Sequence, residues 1–106
     1  MKSDEQDSIK CEEALARYKQ DVAKYTEGSD EYEVGNMIVN TSTRLLDALR
    51  TGEWQAALLE VLTFSRQLSD TFVRHPPSMM ALSDSIRNIE KRLKRVSTKI
   101  GERRLT

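Results

Sequence analysis

The chain has 106 residues, of which 32% are charged and 38% are hydrophobic, and its formal net charge is zero. This length fits a single domain, residues 1–106, and the modest apolar content argues against an architecture with two buried layers. Glycine and proline are scarce, at four and two residues, whereas helix-forming residues are abundant. We therefore predict an all-α fold, a small antiparallel helical bundle of three to four helices.

The charges are unevenly distributed along the chain. Residues 1–35 carry five basic and ten acidic side chains, whereas residues 87–106 carry eight basic and two acidic ones. An acidic front and a basic tail can attract each other within one bundle, or they can form a docking surface for a charged partner.

Cys11 is the single cysteine, so no internal disulfide can form, as is typical of proteins in a reducing cytosol. No run of about 18 apolar residues is present, so we predict no membrane span. The polar N-terminus also lacks the apolar region of a signal peptide. We therefore expect a cytoplasmic protein.

The N-terminal part of the chain shows the weakest helical pattern. Residues 1–6 are polar and are predicted to be disordered. Over residues 7–26, small or half-polar side chains recur at helical spacing: Cys11, Ala14, Tyr18, Val22 and Tyr25. We expect an acidic, loosely packed helix here, one that could become ordered only on binding a partner.

A second helix is predicted from about Glu31 to Arg50. Gly28 suits the position after a helix end, and Asp30 with Glu33 resembles a capping box at the start of the next helix. Gly35 weakens the first turns, so the helix could also begin nearer Asn36.

Gly52 marks the clearest turn, since glycine readily adopts the left-handed conformation that ends a helix. Glu53 then lies in the first turn of a third helix, which is predicted to run from Trp54 to about Arg74. Its apolar stripe has a 4-3-4-3-4 spacing: Trp54, Leu58, Val61, Ser65, Leu68 and Phe72.

Pro76 and Pro77 interrupt the third helix, because residues that precede proline disfavour helical geometry. Ser78 can cap a fourth helix, predicted from about Met79 to Ile100. Its stripe has the same coiled-coil-like spacing: Leu82, Ile86, Ile89, Leu93, Val96 and Ile100.

The sequence indicates no catalytic, cofactor or metal site. The chain has one histidine, His75, and one cysteine, 64 residues apart, so no zinc signature is possible. His75 is expected to be an exposed turn residue and Cys11 an inert thiol. The four glycines are isolated, so no phosphate-binding loop is present. We predict that the protein is not an enzyme.

The basic fourth helix suggests an alternative function, a small nucleic-acid-associated regulator. Basic side chains there could contact phosphates: Lys91, Arg92, Lys94, Arg95 and Lys99. The segment lacks aromatic residues for base stacking, however, and the sequence pI is near 6.6. Binding of a partner helix fits the apolar stripes better than nucleic acid does.

Residues 43–58, TRLLDALRTGEWQAAL, resemble the opening of the FliT-like flagellar export chaperones, and the likeness extends over about residues 36–101. It is most specific at Leu45, Leu46, Gly52, Glu53, Trp54 and Leu58. The resemblance implies an α-helical cytosolic type III export chaperone that shields an amphipathic segment of a secreted flagellar or type III substrate and contacts a component of the export apparatus. The same turn also resembles a tetratricopeptide hairpin, but no second copy occurs near a 34-residue period.

We therefore predict an export chaperone or adaptor whose third and fourth helices bind the partner, with a homodimer through the same faces as an open possibility. The predicted partner-binding residues are Leu58, Leu62, Leu68, Phe72, Leu82, Ile86, Ile89 and Leu93. Gly52 and Trp54 are predicted to be structural, with the indole of Trp54 anchoring the turn.

Overall fold

A computed structural model describes the backbone of residues 2–71 and 73–105 and the side chains of residues 6–71 and 73–96. The helices are α1 (Lys2–Val22), α2 (Asp30–Arg50), α3 (Trp54–Asp70) and α4 (Ser78–Leu105). These described residues contain no strand, which confirms the predicted all-α bundle. None of their helices combines the length and the apolarity that a membrane span requires.

The four helices form a closed ring in which each packs against its two neighbours. Polar contacts between neighbouring helices show that these helices run antiparallel. Asp7 of α1 lies 2.8 Å from Arg92 of α4, whereas Asp21, at the other end of α1, bonds the start of α4. Arg44 of α2 pairs with Glu60 of α3 at 3.2 Å. The acidic front and the basic tail therefore do meet inside one bundle.

The core runs along the centre of this ring, and every helix contributes to it. Its members are buried apolar residues: Cys11, Ala14, Leu15, Tyr18, Val22, Ile38, Val39, Leu45, Leu46, Ala48, Ala57, Val61, Phe64, Met79, Leu82, Ile86, Ile89 and Leu93. Most described members of the predicted stripes are turned towards the other helices. Ser65 and Val96 are exposed instead, and the side chains of Phe72 and Ile100 lie outside the described ones.

Helix α1 differs from its prediction in extent and in packing. It begins at Lys2, inside the segment expected to be disordered, and ends at Val22 instead of continuing to Thr26; Met1 lies outside the described residues. The expected loose packing is wrong, because Cys11 and Tyr18 have no exposed surface. Small side chains on α1 allow a close approach to α2 and α4, which a large stripe would have prevented.

Helix α2 begins where a serine caps it. The hydroxyl of Ser29 accepts a hydrogen bond from the backbone N–H of Tyr32 at 3.2 Å, so Ser29, and not Asp30, is the N-cap. Gly28 has φ +86°, but it lies in the turn closed by the Ser29 N–H and the Thr26 carbonyl, six residues after the end of α1. It therefore does not end that helix, contrary to the prediction. Gly35 does not delay the helix, because it is buried against α1.

The turn between α2 and α3 has its predicted glycine, but Glu53, predicted in the first turn of α3, is the N-cap residue that precedes this helix. Gly52 has φ +75°, and its N–H donates to the carbonyl of Leu49 at 3.3 Å. The N–H of Glu53 donates to the carbonyl of Ala48 at 2.9 Å. This pair of bonds is a Schellman motif, which satisfies the last carbonyls of α2 and returns the chain antiparallel.

Helix α3 ends at Asp70, four residues before the predicted end at Arg74. Helix α4 begins at Ser78, and its C-terminal end at Leu105 lies beyond the predicted Ile100. The hydroxyl of Ser78 donates to the carboxylate of Asp21 at 2.6 Å. Ser78 therefore ties α4 to α1, a different role from the predicted cap.

Candidate partner-binding cleft

Helices α3 and α4 make the least contact of the four neighbouring pairs, and a cleft of about 220 Å³ opens between them. Its floor is apolar and belongs to the core: Val61, Phe64, Leu68 and Ile86. Its walls are polar: Ser65, Ser69, Ser83, Arg87 and Glu90. We call this feature the α3–α4 cleft.

The α3 wall continues into exposed apolar surface. Leu58, Leu62, Ser65 and Ser69 are spaced 4, 3 and 4 residues apart, which places them on one face of the helix. Both serines line the cleft, Leu58 is half-buried, and Leu62 is 47% exposed. A large apolar side chain in water thus lies one turn from the cleft. This is the surface that a partner would cover.

The α4 wall is charged. Ser83, Arg87, Glu90 and Lys94 share one face by the same 4-3-4 spacing. Lys94 Nζ lies 3.8 Å from a carboxylate oxygen of Glu90. Arg87 is exposed, and no ion pair joins it to another described side chain.

A second cavity, of about 180 Å³, lies at the end of the bundle beside the α2–α3 turn, and we call it the bundle-end pocket. Its lining is mainly apolar: Ala48, Leu49, Gly52, Trp54, Ile89, Leu93 and Val96, with Asp7, Ser8 and Arg92. The Asp7–Arg92 ion pair therefore borders apolar surface. Trp54 is partly buried and packs against the core from one side of this pocket.

The structure separates the predicted partner-binding residues into two groups. Leu82, Ile86, Ile89 and Leu93 are 6% exposed or less. Their prediction as a partner surface is corrected, because in this chain they form part of the core, where α4 packs against α1 and α3. Periodicity identified their common face correctly but could not show that the bundle itself covers it.

The remaining predicted residues lie on α3. Leu58 and Leu68 are half-buried and pack against the core, whereas Leu62 is open to solvent. Phe72 lies outside the described residues. Only the α3 half of the predicted surface therefore remains accessible.

Burial shifts the pKa of the two side chains that the sequence singled out as candidate chemical groups, Cys11 and His75. Burial raises the pKa of the Cys11 thiol from 9.0 to about 12, and the neighbouring Glu12 adds to this, as expected for an inert thiol. Desolvation lowers the pKa of His75, which is half-buried and not exposed as predicted. Within the described side chains, no three His, Cys, Asp or Glu residues form a group that could hold a metal ion.

The serines that line the cleft were not among the predicted site residues. Ser69 and Ser83 are too small to fill the space between the two helices. Ser65 also lines the cleft and interrupts the apolar stripe of α3. A serine at a position where the 4-3 repeat requires a large apolar residue was the available signal.

No protein-family model, curated protein or solved structure matches this chain. The resemblance to FliT-like chaperones therefore stays a prediction.

Proposed function

We propose that this chain is a protein-binding helical bundle that holds an amphipathic helix of a partner against the α3–α4 cleft. More specifically, we propose that the chain is a cytoplasmic export chaperone or adaptor. The partner is then a secreted protein whose apolar segment is shielded before export, as the FliT-like resemblance implies. The α3–α4 cleft beside the exposed Leu62 is the observation that carries the proposal.

The shape of the cleft favours a helix over a flat surface as the occupant. Two helices with a gap between them present a groove, and the ridges of a third helix fit such a groove. From Leu58 to Ser69 the α3 wall spans eleven residue steps, about 16 Å at 1.5 Å per residue. A partner helix of three or more turns covers that length.

The energetics require several contacts. Complete burial of a leucine side chain contributes about 1.5–3 kcal/mol, and Leu62 is already about half-buried. Leu62 alone therefore cannot hold a partner. Three residues of the cleft floor are already 2% exposed or less: Val61, Phe64 and Ile86. The further apolar contact must therefore come from the half-buried Leu58 and Leu68. An acidic substitution at Leu62 should therefore weaken partner binding, because the contact would bury a carboxylate against apolar side chains.

The proposal assigns no catalytic step and no cofactor. The one thiol is buried with a raised pKa, and thiol chemistry requires an accessible thiolate.

Quantitative affinity capture from the source cells tests this function. The wild-type chain, Leu62→Asp and Ile9→Asp are used as baits at equal concentration. Ile9 is the matched control, because it is 52% exposed but lies on α1, whose described residues do not contact α3. We expect a captured protein to be lost with Leu62→Asp and kept with Ile9→Asp, and its protease-protected segment to be an amphipathic helix. Equal capture by all three baits would contradict the proposal.

Nucleic-acid binding is the second candidate, favoured by one observation. Arg87, Lys91 and Arg95 are exposed and follow one another at four-residue intervals along α4, so they form a basic stripe that could contact phosphates. Titration of duplex DNA at increasing salt distinguishes the candidates. Phosphate contacts weaken steeply with salt, whereas an apolar contact does not.

A further inference from the structure

We propose that the partner helix carries an acidic edge that lies along the α4 wall of the α3–α4 cleft, opposite Arg87. This inference rests on the proposed function and adds the chemistry of the occupant. The site is then a two-part surface, apolar on the α3 side and cationic on the α4 side.

The charge distribution around the cleft supports this. Residues 87–96 of α4 include five basic side chains and one acidic one, Glu90. Glu90 lines the cleft, but Lys94 lies 3.8 Å from its carboxylate and offsets its charge. Arg87 and Glu90 are the charged residues that line the cleft. Because Glu90 pairs with Lys94, the positive charge left on this wall is that of Arg87.

Arg87 is the residue best placed to form an ion pair with a charged group of the bound helix. Its side chain lines the cleft, it is exposed, and no ion pair joins it to a described carboxylate. Arg92, by contrast, is held by Asp7 at 2.8 Å on the other side of α4. A carboxylate on the partner would give Arg87 an ion pair at the edge of an apolar contact, where screening by water is reduced.

The apolar and cationic parts occupy neighbouring faces. Leu62 lies on the α3 face that contains Ser65 and Ser69, and these serines line the cleft together with Arg87. A helix that buries its apolar stripe on Leu62 and on the half-buried Leu58 and Leu68 therefore turns one flank towards α4. Acidic residues on that flank are attracted, and basic residues there are repelled.

Three designed peptides test the inference against the full-length chain. Each is an amphipathic helix with the same leucine stripe, and its flanking positions are all Glu, all Gln or all Lys. Fluorescence anisotropy measures their dissociation constants at low and high salt, with a duplex DNA oligonucleotide as a fourth ligand. Arg87→Glu is the test variant, and Arg17→Glu, at an exposed arginine on α1, is the control.

We expect the Glu peptide to bind about tenfold more tightly than the Lys peptide at low salt. Arg87→Glu should reduce this preference for the Glu peptide to about twofold or less, whereas Arg17→Glu should leave the preference unchanged. High salt should reduce the difference in affinity between the two peptides. Equal binding of all three peptides would overturn the acidic edge but leave the proposed function standing. If no peptide binds, or if only DNA binds, both proposals fail. Self-association of the chain in place of peptide binding, measured by sedimentation, would also overturn both.

Discussion

Val22, the last residue of α1, packs directly on Gly35 of α2. A Cβ atom placed on Gly35 would lie 2.7 Å from one γ-methyl of Val22 and 2.8 Å from the other. Real Cβ atoms do not approach carbon this closely, and the β-branched side chain of Val22 is buried and cannot rotate freely. Glycine at position 35 therefore sets the spacing of α1 and α2.

Substitution of Gly35 by alanine should destabilise the bundle. Helix propensity alone favours alanine by about 1 kcal/mol, but overpacking of a core costs about 1–3 kcal/mol, so we expect a net loss of about 1 kcal/mol. Urea denaturation followed by circular dichroism measures it. A Val22→Ala background removes both γ-methyls and leaves only the Cβ atom of residue 22, at 3.3 Å, so Gly35→Ala should then be neutral or stabilising. The same stabilisation in both backgrounds would contradict the close contact.

The corrected role of the α4 stripe predicts a large stability effect. Leu82 has no exposed surface, so Leu82→Ala should lower the free energy of unfolding by about 2–5 kcal/mol. Leu59 is the matched control because it is 64% exposed on α3, and Leu59→Ala should change stability by no more than about 0.5 kcal/mol. Similar denaturation midpoints for the two variants would show that Leu82 is not in the core.

The buried thiol of Cys11 predicts a loss of stability at alkaline pH. Its pKa rises from 9.0 to about 12 on folding, so the folded chain keeps a proton that the unfolded chain releases. Stability from this group is complete below pH 9.0 and declines as the pH rises towards about 12, by up to about 1.4 kcal/mol per pH unit. Urea midpoints measured across this interval should fall less in Cys11→Ala than in the wild type. Identical pH dependence in both would refute the burial of the thiol.

Tyr18 offers a test of an unpaired polar group. Its hydroxyl is buried, and no described residue forms a hydrogen bond with it. A buried hydroxyl without a partner costs about 1–3 kcal/mol, so Tyr18→Phe should be neutral or should stabilise the bundle by about 1 kcal/mol. The free energy of unfolding at neutral pH decides this. A loss of more than about 1 kcal/mol would mean that an internal water bonds the hydroxyl.

The sequence was informative where a single local cause dominates. Gly52 and the proline pair place the turns, because backbone geometry there depends on the residue itself. The cap at Ser29 was missed, since Asp30 offers an equally good local signal and only the path of the chain distinguishes them. The spacing of Leu82 and Ile86 identified their common face, but what covers that face depends on three other helices. The cleft was also not predicted, because it results from small serines on two different helices that line the same gap.

Hydrogen–deuterium exchange of the full-length chain, with and without the Glu-flanked amphipathic peptide, tests the central claim most directly. We predict that the peptide slows exchange in α3 around residues 58–69 and in α4 around residues 83–94, and leaves the exposed face of α1 unchanged. Protection confined to α1, or unchanged exchange in α3 and α4 at saturating peptide, would contradict the proposal that this cleft binds a partner helix.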